Sequence, residues 1–208
     1  MNDAPDPTVF LVDDDPSVLK ALRRLLDASG LKVAAFDSAQ AFLDGYDPDA
    51  DGCVVLDVRM PGIGGFELQD ILAERGCTLP IVFLTGHGDI SMSVHAMKHG
   101  AVDFLTKPVN SERLLPTIHE AFEKCRRARQ ERTARTSIED RLRTLTPRER
   151  EVLEHLIGGK LNKQVAFDLH TVEKTVKVHR SRIMQKMGVR SLAEVVRLCE
   201  TVGIKPAP

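Results

Sequence analysis

Five short β-rich runs, Val9–Val12, Val33–Phe36, Cys53–Leu56, Ile81–Leu84 and Asp103–Leu105, are separated by stretches whose apolar residues recur at helical spacing. Parallel neighbours cannot be joined by tight turns, so this alternation predicts an α/β doubly wound five-stranded parallel sheet. Val18, Leu19, Leu22, Leu25 and Leu26 mark the first helix, which Gly30 closes. Ser38 is placed to cap a second helix, and Phe66, Leu68, Ile71 and Leu72 mark a third. Asp89 is placed to cap a fourth and Ser111 a fifth, with Leu114, Leu115, Ile118 and Phe122 facing the sheet. Pro116 removes one bond near the start of that fifth helix and predicts a kink.

From Lys124 the fifth helix outruns its apolar face and becomes CRRARQERTARTSIEDRLR, read as a solvated helix or linker, with nucleic-acid contact as the sharper alternative. The chain therefore divides into 1–125, a charged helical linker 126–142, and 143–208. The net charge of −1 hides this division: residues 1–123 carry 20 acidic against 9 basic side chains, and residues 124–208 carry 10 against 20. So sharp a split suggests two domains with different partners, the second suited to a polyanion.

Nothing suggests a membrane or a secreted protein. No apolar run approaches the roughly 20 residues a spanning helix needs, and MNDAPDP lacks the features of a secretion signal. Four cysteines without a C-x-x-C pair point to reduced thiols in a cytoplasmic protein rather than a disulfide framework or a zinc cage.

Ligands of an open parallel sheet sit beyond the carboxyl ends of its strands. There the first run continues into Asp13, Asp14 and Asp15, the third ends in Asp57, the fourth in Thr85, and Lys107 follows the fifth. Any one of these is ordinarily a solvated loop residue, but VDDD, LD-x-x-MPG, LTGHG and FLTKP on successive strands form a set. Clustered carboxylates suit Mg2+, with Asp13, Asp14 and Asp57 as ligands. Asp57 would be the nucleophile toward a phosphoryl group, and Lys107 and Thr85 would hold its other oxygens. His95 and His99 stand four apart near His87, but no Glu completes a zinc motif, so they read as surface or interface histidines.

These residues resemble the receiver domain of bacterial two-component response regulators over about residues 6–125. The resemblance implies Asp13 and Asp14 as the acidic pair, Asp57 as phospho-acceptor, Thr85 and Lys107 as the conserved hydroxyl and lysine, and Met60-Pro61 and Gly65 in the following loop. It further implies the Arg59 backbone carbonyl as a metal ligand and Phe104 as an aromatic that swings on activation.

After Thr144 the pattern is helical throughout, with helices near Pro147–Ile157, Asn162–Leu169, Val172–Met187 and Ser191–Val202 forming an all-α four-helix unit. On a helical wheel Val172, Val176, His179, Ile183 and Met187 form the packed side of the third helix. The opposite side presents Lys174, Lys177, Val178, Ser181 and Gln185, flanked by Arg180, Arg182 and Lys186. Lysine and glutamine donate to purine edges, and flanking cations hold phosphates. Alone, this face could equally be a solvated surface.

LTPRE-x-EVL, NKQVA, TVKVHR and RIMQKMGVRS resemble the LuxR-type helix-turn-helix domain, and with the receiver they give the NarL/FixJ architecture. The resemblance implies base contacts from Lys177, Val178 and Ser181, although serine stands where lysine is common. Thr171 is the available N-cap, predicting a start one residue early. Leu192, Val195, Val196 and Cys199 are either a dimer seam or a core stripe.

The expected protein is a phosphorylation-controlled transcription regulator rather than a turnover enzyme. A histidine kinase would supply the phosphoryl group, a homodimer would bind double-stranded promoter DNA, and RNA polymerase would be a further partner. The opposed charges also suggest that the unphosphorylated receiver docks over Lys177 and masks it. The rivals are a DNA binder indifferent to phosphate and a metal-dependent phosphohydrolase.

Overall fold

The computed structural model describes residues 6–86 and 90–207; His87 and the predicted cap Asp89 lie outside the described residues. The chain forms two compact units, and the division falls between Arg129 and Gln130.

The first unit runs β1 (Thr8–Val12), α1 (Pro16–Ala28), β2 (Lys32–Phe36), α2 (Ala39–Gly45), β3 (Gly52–Asp57), α3 (Gly65–Glu74), β4 (Ile81–Thr85), α4 (Ile90–Lys98), β5 (Asp103–Thr106) and the start of α5 (Ser111–Arg143). All strand pairs are parallel, in the order β2-β1-β3-β4-β5. The order reverses between β1 and β3, which opens a crevice at their carboxyl ends.

Both sheet faces are covered, so the three central strands β1, β3 and β4 are buried along their whole length. In β1, Val9 and Leu11 join Leu22, Leu26, Leu114 and Ile118 on one face. Phe10 and Val12 join Phe42, Leu68 and Leu72 on the other. Each fully buried side chain of this kind is worth about 1.5–3 kcal/mol, and together they hold the strand tips in register.

Local chemistry sets the helix starts. Asp15 caps α1 by accepting the Ser17 N–H at 2.8 Å, with Pro16 in the first turn. Ser38 caps α2 through the Ala41 N–H. The expected Ser111 cap is corrected to Asn110, whose side-chain oxygen accepts the Glu112 N–H at 2.9 Å and whose carbonyl accepts that of Leu114. Asn110 is one residue earlier and still outside the helix, where its short polar side chain can reach the Glu112 N–H. Helix α5 continues through Pro116, where Thr117 Oγ1 donates to the Arg113 carbonyl at 2.9 Å.

The second unit packs α6 (Pro147–Ile157), α7 (Asn162–Asp168), α8 (Glu173–Met187) and α9 (Leu192–Thr201) against the last turns of α5. Thr146 and Glu149 form a reciprocal capping box at α6. Ile138 and Leu142, which read as part of the solvated stretch, are buried in this core. Their spacing of four places both on one side of α5, a short stripe that the surrounding charges obscure in the sequence. Among the described residues no helix is long and apolar enough to cross a membrane.

Candidate functional site

The carboxyl edge of the sheet gathers the acidic residues from β1 and β3. Carboxylate oxygens of Asp13, Asp14 and Asp57 lie within 4.8 Å of one another. Asp13 and Asp57 are buried and Asp14 is exposed, so the cluster opens to solvent on one side. Lys107 reaches in from beyond β5, its Nζ 2.5 Å from Asp13 Oδ2 and 3.1 Å from Asp57 Oδ1. Its backbone N–H donates to the Thr85 carbonyl at 2.7 Å, tying the lysine segment to the tip of β4. Thr85 is itself buried, one step past the register pair Asp57 and Leu84.

Gly65 fixes the loop after Asp57: a Cβ there would lie 2.3 Å from the Asp57 carbonyl oxygen, so only glycine lets α3 begin so close. Arg59 is exposed two residues past Asp57. Phe104 is half-buried, its ring 6.3 Å from that of Phe83 on the adjoining strand. Asp15 does not join the acidic cluster. It caps α1, and the Ser17 amide holds its carboxyl below the ordinary range.

Burial pushes the Asp57 carboxyl above the usual carboxylate range; Lys107 counters this, and the charges of Asp13 and Asp14 add to it. For Lys107, burial alone would pull the ammonium down, but hydrogen bonds to Asp13 and Asp57 outweigh it and hold the group above its ordinary value. One ammonium facing three carboxylates leaves an excess that a divalent cation matches. An all-oxygen donor set open to water is the chemistry that Mg2+ prefers, so these residues fit that ion.

The His95 and His99 rings lie against each other at a tilt of 33°, centroids 4.2 Å apart, and His99 Nδ1 lies 2.9 Å from the His95 carbonyl oxygen. They stand apart from the acidic cluster.

In the second unit α8 buries Val176, Ile183 and Met187. Lys174, Lys177, Val178, Ser181, Arg182 and Gln185 are exposed. Lys177 pairs with Glu173 at 2.9 Å, and Arg180 lies 3.5 Å from Asn162 Oδ1. Three expectations are corrected here. Val172 is 65% exposed rather than packed, because it precedes the helix with extended backbone and the wheel's phase does not reach it. The early start at Thr171 fails because the first helical bonds, from the Thr175 and Val176 N–H groups, go to the Val172 carbonyl, which makes Val172 the N-cap. Lys186 points inward, to Glu149 Oε2 at 2.6 Å and the Thr144 carbonyl at 2.9 Å, and is not placed as a phosphate contact.

Of the two options for α9, Val195 and Cys199 take the core. The Glu149–Lys186 pair escaped sequence reasoning, although the spacing of Thr146 and Glu149 announced the capping half of it. Lys186 carried no such signal, since its partner lies 37 residues away.

A doubly wound receiver sheet followed by a helix-turn-helix unit defines a response regulator. Family models agree: the response regulator receiver domain matches residues 9–119, and the bacterial regulatory proteins of the luxR family match 143–199. Nodulation protein W of Bradyrhizobium diazoefficiens is 45% identical over 94% of this chain and 86% of its own. The transcriptional regulatory protein FixJ of Azorhizobium caulinodans is 42% identical over 96% and 94%. The solved response regulator StyR is 49% identical with a TM-score of 0.84, covering 94% of this chain and 98% of that one. The chain belongs to the NarL/FixJ family of two-component response regulators. It is a transcription regulator, which removes the phosphohydrolase alternative.

Proposed function

We propose that Asp57 accepts a phosphoryl group from a histidine kinase and that this controls promoter binding by α8. The observation that carries the reading is the meeting of Asp13, Asp14, Asp57 and Lys107 at one sheet edge. An Asp57 carboxylate oxygen attacks phosphorus, the P–N bond of the phosphohistidine breaks, and the imidazole nitrogen leaves with the electron pair. The product is an acyl phosphate on Asp57. Mg2+ held by Asp13, Asp14, Asp57 and the Arg59 carbonyl would offset charge on the transferring oxygens. Lys107 exchanges its carboxylate contacts for a phosphoryl oxygen, and the Thr85 hydroxyl donates to another. Phe104 then turns inward against Phe83.

The switch would end in a homodimer. Ile90, Val94 and Met97 are exposed at 84%, 46% and 47% along one side of α4 and supply an apolar surface for a second receiver. Two recognition helices then meet half-sites about one helical turn apart. Lys174, Lys177, Val178, Ser181 and Gln185 face base edges, and Arg180 and Arg182 take phosphates. RNA polymerase recruited at the promoter completes activation. Intact-mass measurement after incubation with Mg2+ and a small acyl phosphate tests the first step. One added phosphoryl group is expected, lost in Asp57→Asn; no added mass overturns the reading.

A further inference from the structure

We propose that the last turns of α5, from Gln130 to Arg143, are a positioning element for the recognition helix, with Arg141 as its main contact; this rests on α8 being that helix. Arg141 Nη1 donates to the Met187 carbonyl at 2.9 Å, at the final residue of α8. The last carbonyls of a helix lack intrahelical partners, and a cation is favoured there by the helix dipole. The chain leaves α8 through Gly188 in the left-handed region, φ 66°, and a Cβ at that position would come 3.3 Å from Arg141 Nη1. The guanidinium is therefore seated on the cap itself.

A second grip lies beside it. Lys186 Nζ donates to the Thr144 carbonyl, one residue beyond the end of α5, and to Glu149. Beneath these polar contacts, Ile138 and Leu142 of α5 share a core with Val176, Ile183 and Met187 of α8. Ile138, Arg141 and Leu142, all outside the 143–199 family match, thus help to hold the buried side and C-terminal end of α8, leaving the side with Lys177, Val178 and Ser181 exposed. Upstream, Arg129 of the same helix pairs with Asp51, the residue before the strand whose far end carries Asp57. Arg141 sets the seating of α8 without touching DNA.

The test uses full-length wild type, Arg141→Ala and Arg141→Lys, each treated with Mg2+ and a small acyl phosphate, titrated by fluorescence anisotropy against a duplex that the wild type so treated selects from a randomised pool. Arg141→Ala is expected to bind about three- to tenfold more weakly, with an unchanged dependence of log affinity on log salt. Arg141→Lys should recover most of the loss, since an ammonium also donates to a carbonyl. Hydrogen exchange should quicken in the last turn of α8 in the Ala variant alone. Unchanged affinity overturns the proposal. So does a salt slope reduced by about 0.9, the mark of a lost phosphate contact. Equal losses in both variants, matched by equal falls in unfolding midpoint, reduce Arg141 to general fold stability and overturn it too. If the wild type selects no duplex, the reading of α8 falls and takes this inference with it.

Discussion

Lys107 Nζ lies 2.5 Å from Asp13 Oδ2 and 3.1 Å from Asp57 Oδ1, so one ammonium joins the tips of β1 and β3. Lys107→Ala leaves buried carboxylates facing one another without a cation and is expected to cost about 2 kcal/mol in metal-free buffer. Millimolar Mg2+ should stabilise this variant more than wild type, because binding to the native state adds stability by mass action. Urea melts with and without Mg2+ measure the difference, and an equal Mg2+ response in both proteins contradicts it.

Gly65→Ala places a methyl group against the Asp57 carbonyl, where the gap is 2.3 Å. The start of α3 must shift, at an expected cost of about 2–4 kcal/mol. Phosphoryl transfer should slow with it. Denaturant melts and the rate of mass gain from a small acyl phosphate check both outcomes.

Glu149 is buried; burial alone would raise its carboxyl, but hydrogen bonds from Lys186 and Thr146 outweigh it and hold the group below the ordinary range. A depressed folded value contributes stability that is present above the ordinary glutamate value of about 4.3 and is lost as pH falls through the folded value. Melts of residues 130–208 should therefore weaken on acidification below that point. Lys186→Met should cost about 2–3 kcal/mol at neutral pH. That cost should shrink as pH falls, because protonating Glu149 relieves the unpaired charge.

Lys177 is held by Glu173 at 2.9 Å across one turn of α8. Glu173→Gln frees the lysine and removes a like charge to phosphate, so duplex affinity should rise about twofold. Lys177→Ala should flatten preference among bases, whereas Arg182→Ala should weaken all duplexes alike and lower the salt slope by about 1. Competition binding against variant duplexes separates the two effects.

A fragment beginning at residue 143 lacks Ile138 and Leu142, whereas one beginning at 130 keeps them in the core. The shorter fragment should be less stable by about 3 kcal/mol or more. If the receiver masks α8, residues 130–208 should bind duplex more tightly than the unphosphorylated whole, with high salt narrowing the gap. Equal affinity rules out masking.

The receiver sheet and its acidic pocket were legible in the sequence because both depend on short-range regularities. Strands alternating with helical patterns fix a parallel sheet, and a residue at a strand's end is carried to the sheet's edge wherever that strand pairs. Asp13, Asp57, Thr85 and Lys107 therefore meet even though 94 residues separate the first from the last. The exposed side of α8 was legible for the same reason, as helical period alone sorts Lys177, Val178 and Ser181 from Val176 and Ile183.

Tertiary packing decided the rest. Whether Lys186 faces solvent or Glu149, whether α9 spends Val195 and Cys199 on its own core, and whether Ile138 and Leu142 are buried all depend on which helix lies alongside. A charged side chain on a helix reads alike in sequence whether it meets water or a carboxylate brought from 37 residues away. Local pattern supplies the direction of a side chain along its own element, and only the folded chain supplies what stands opposite.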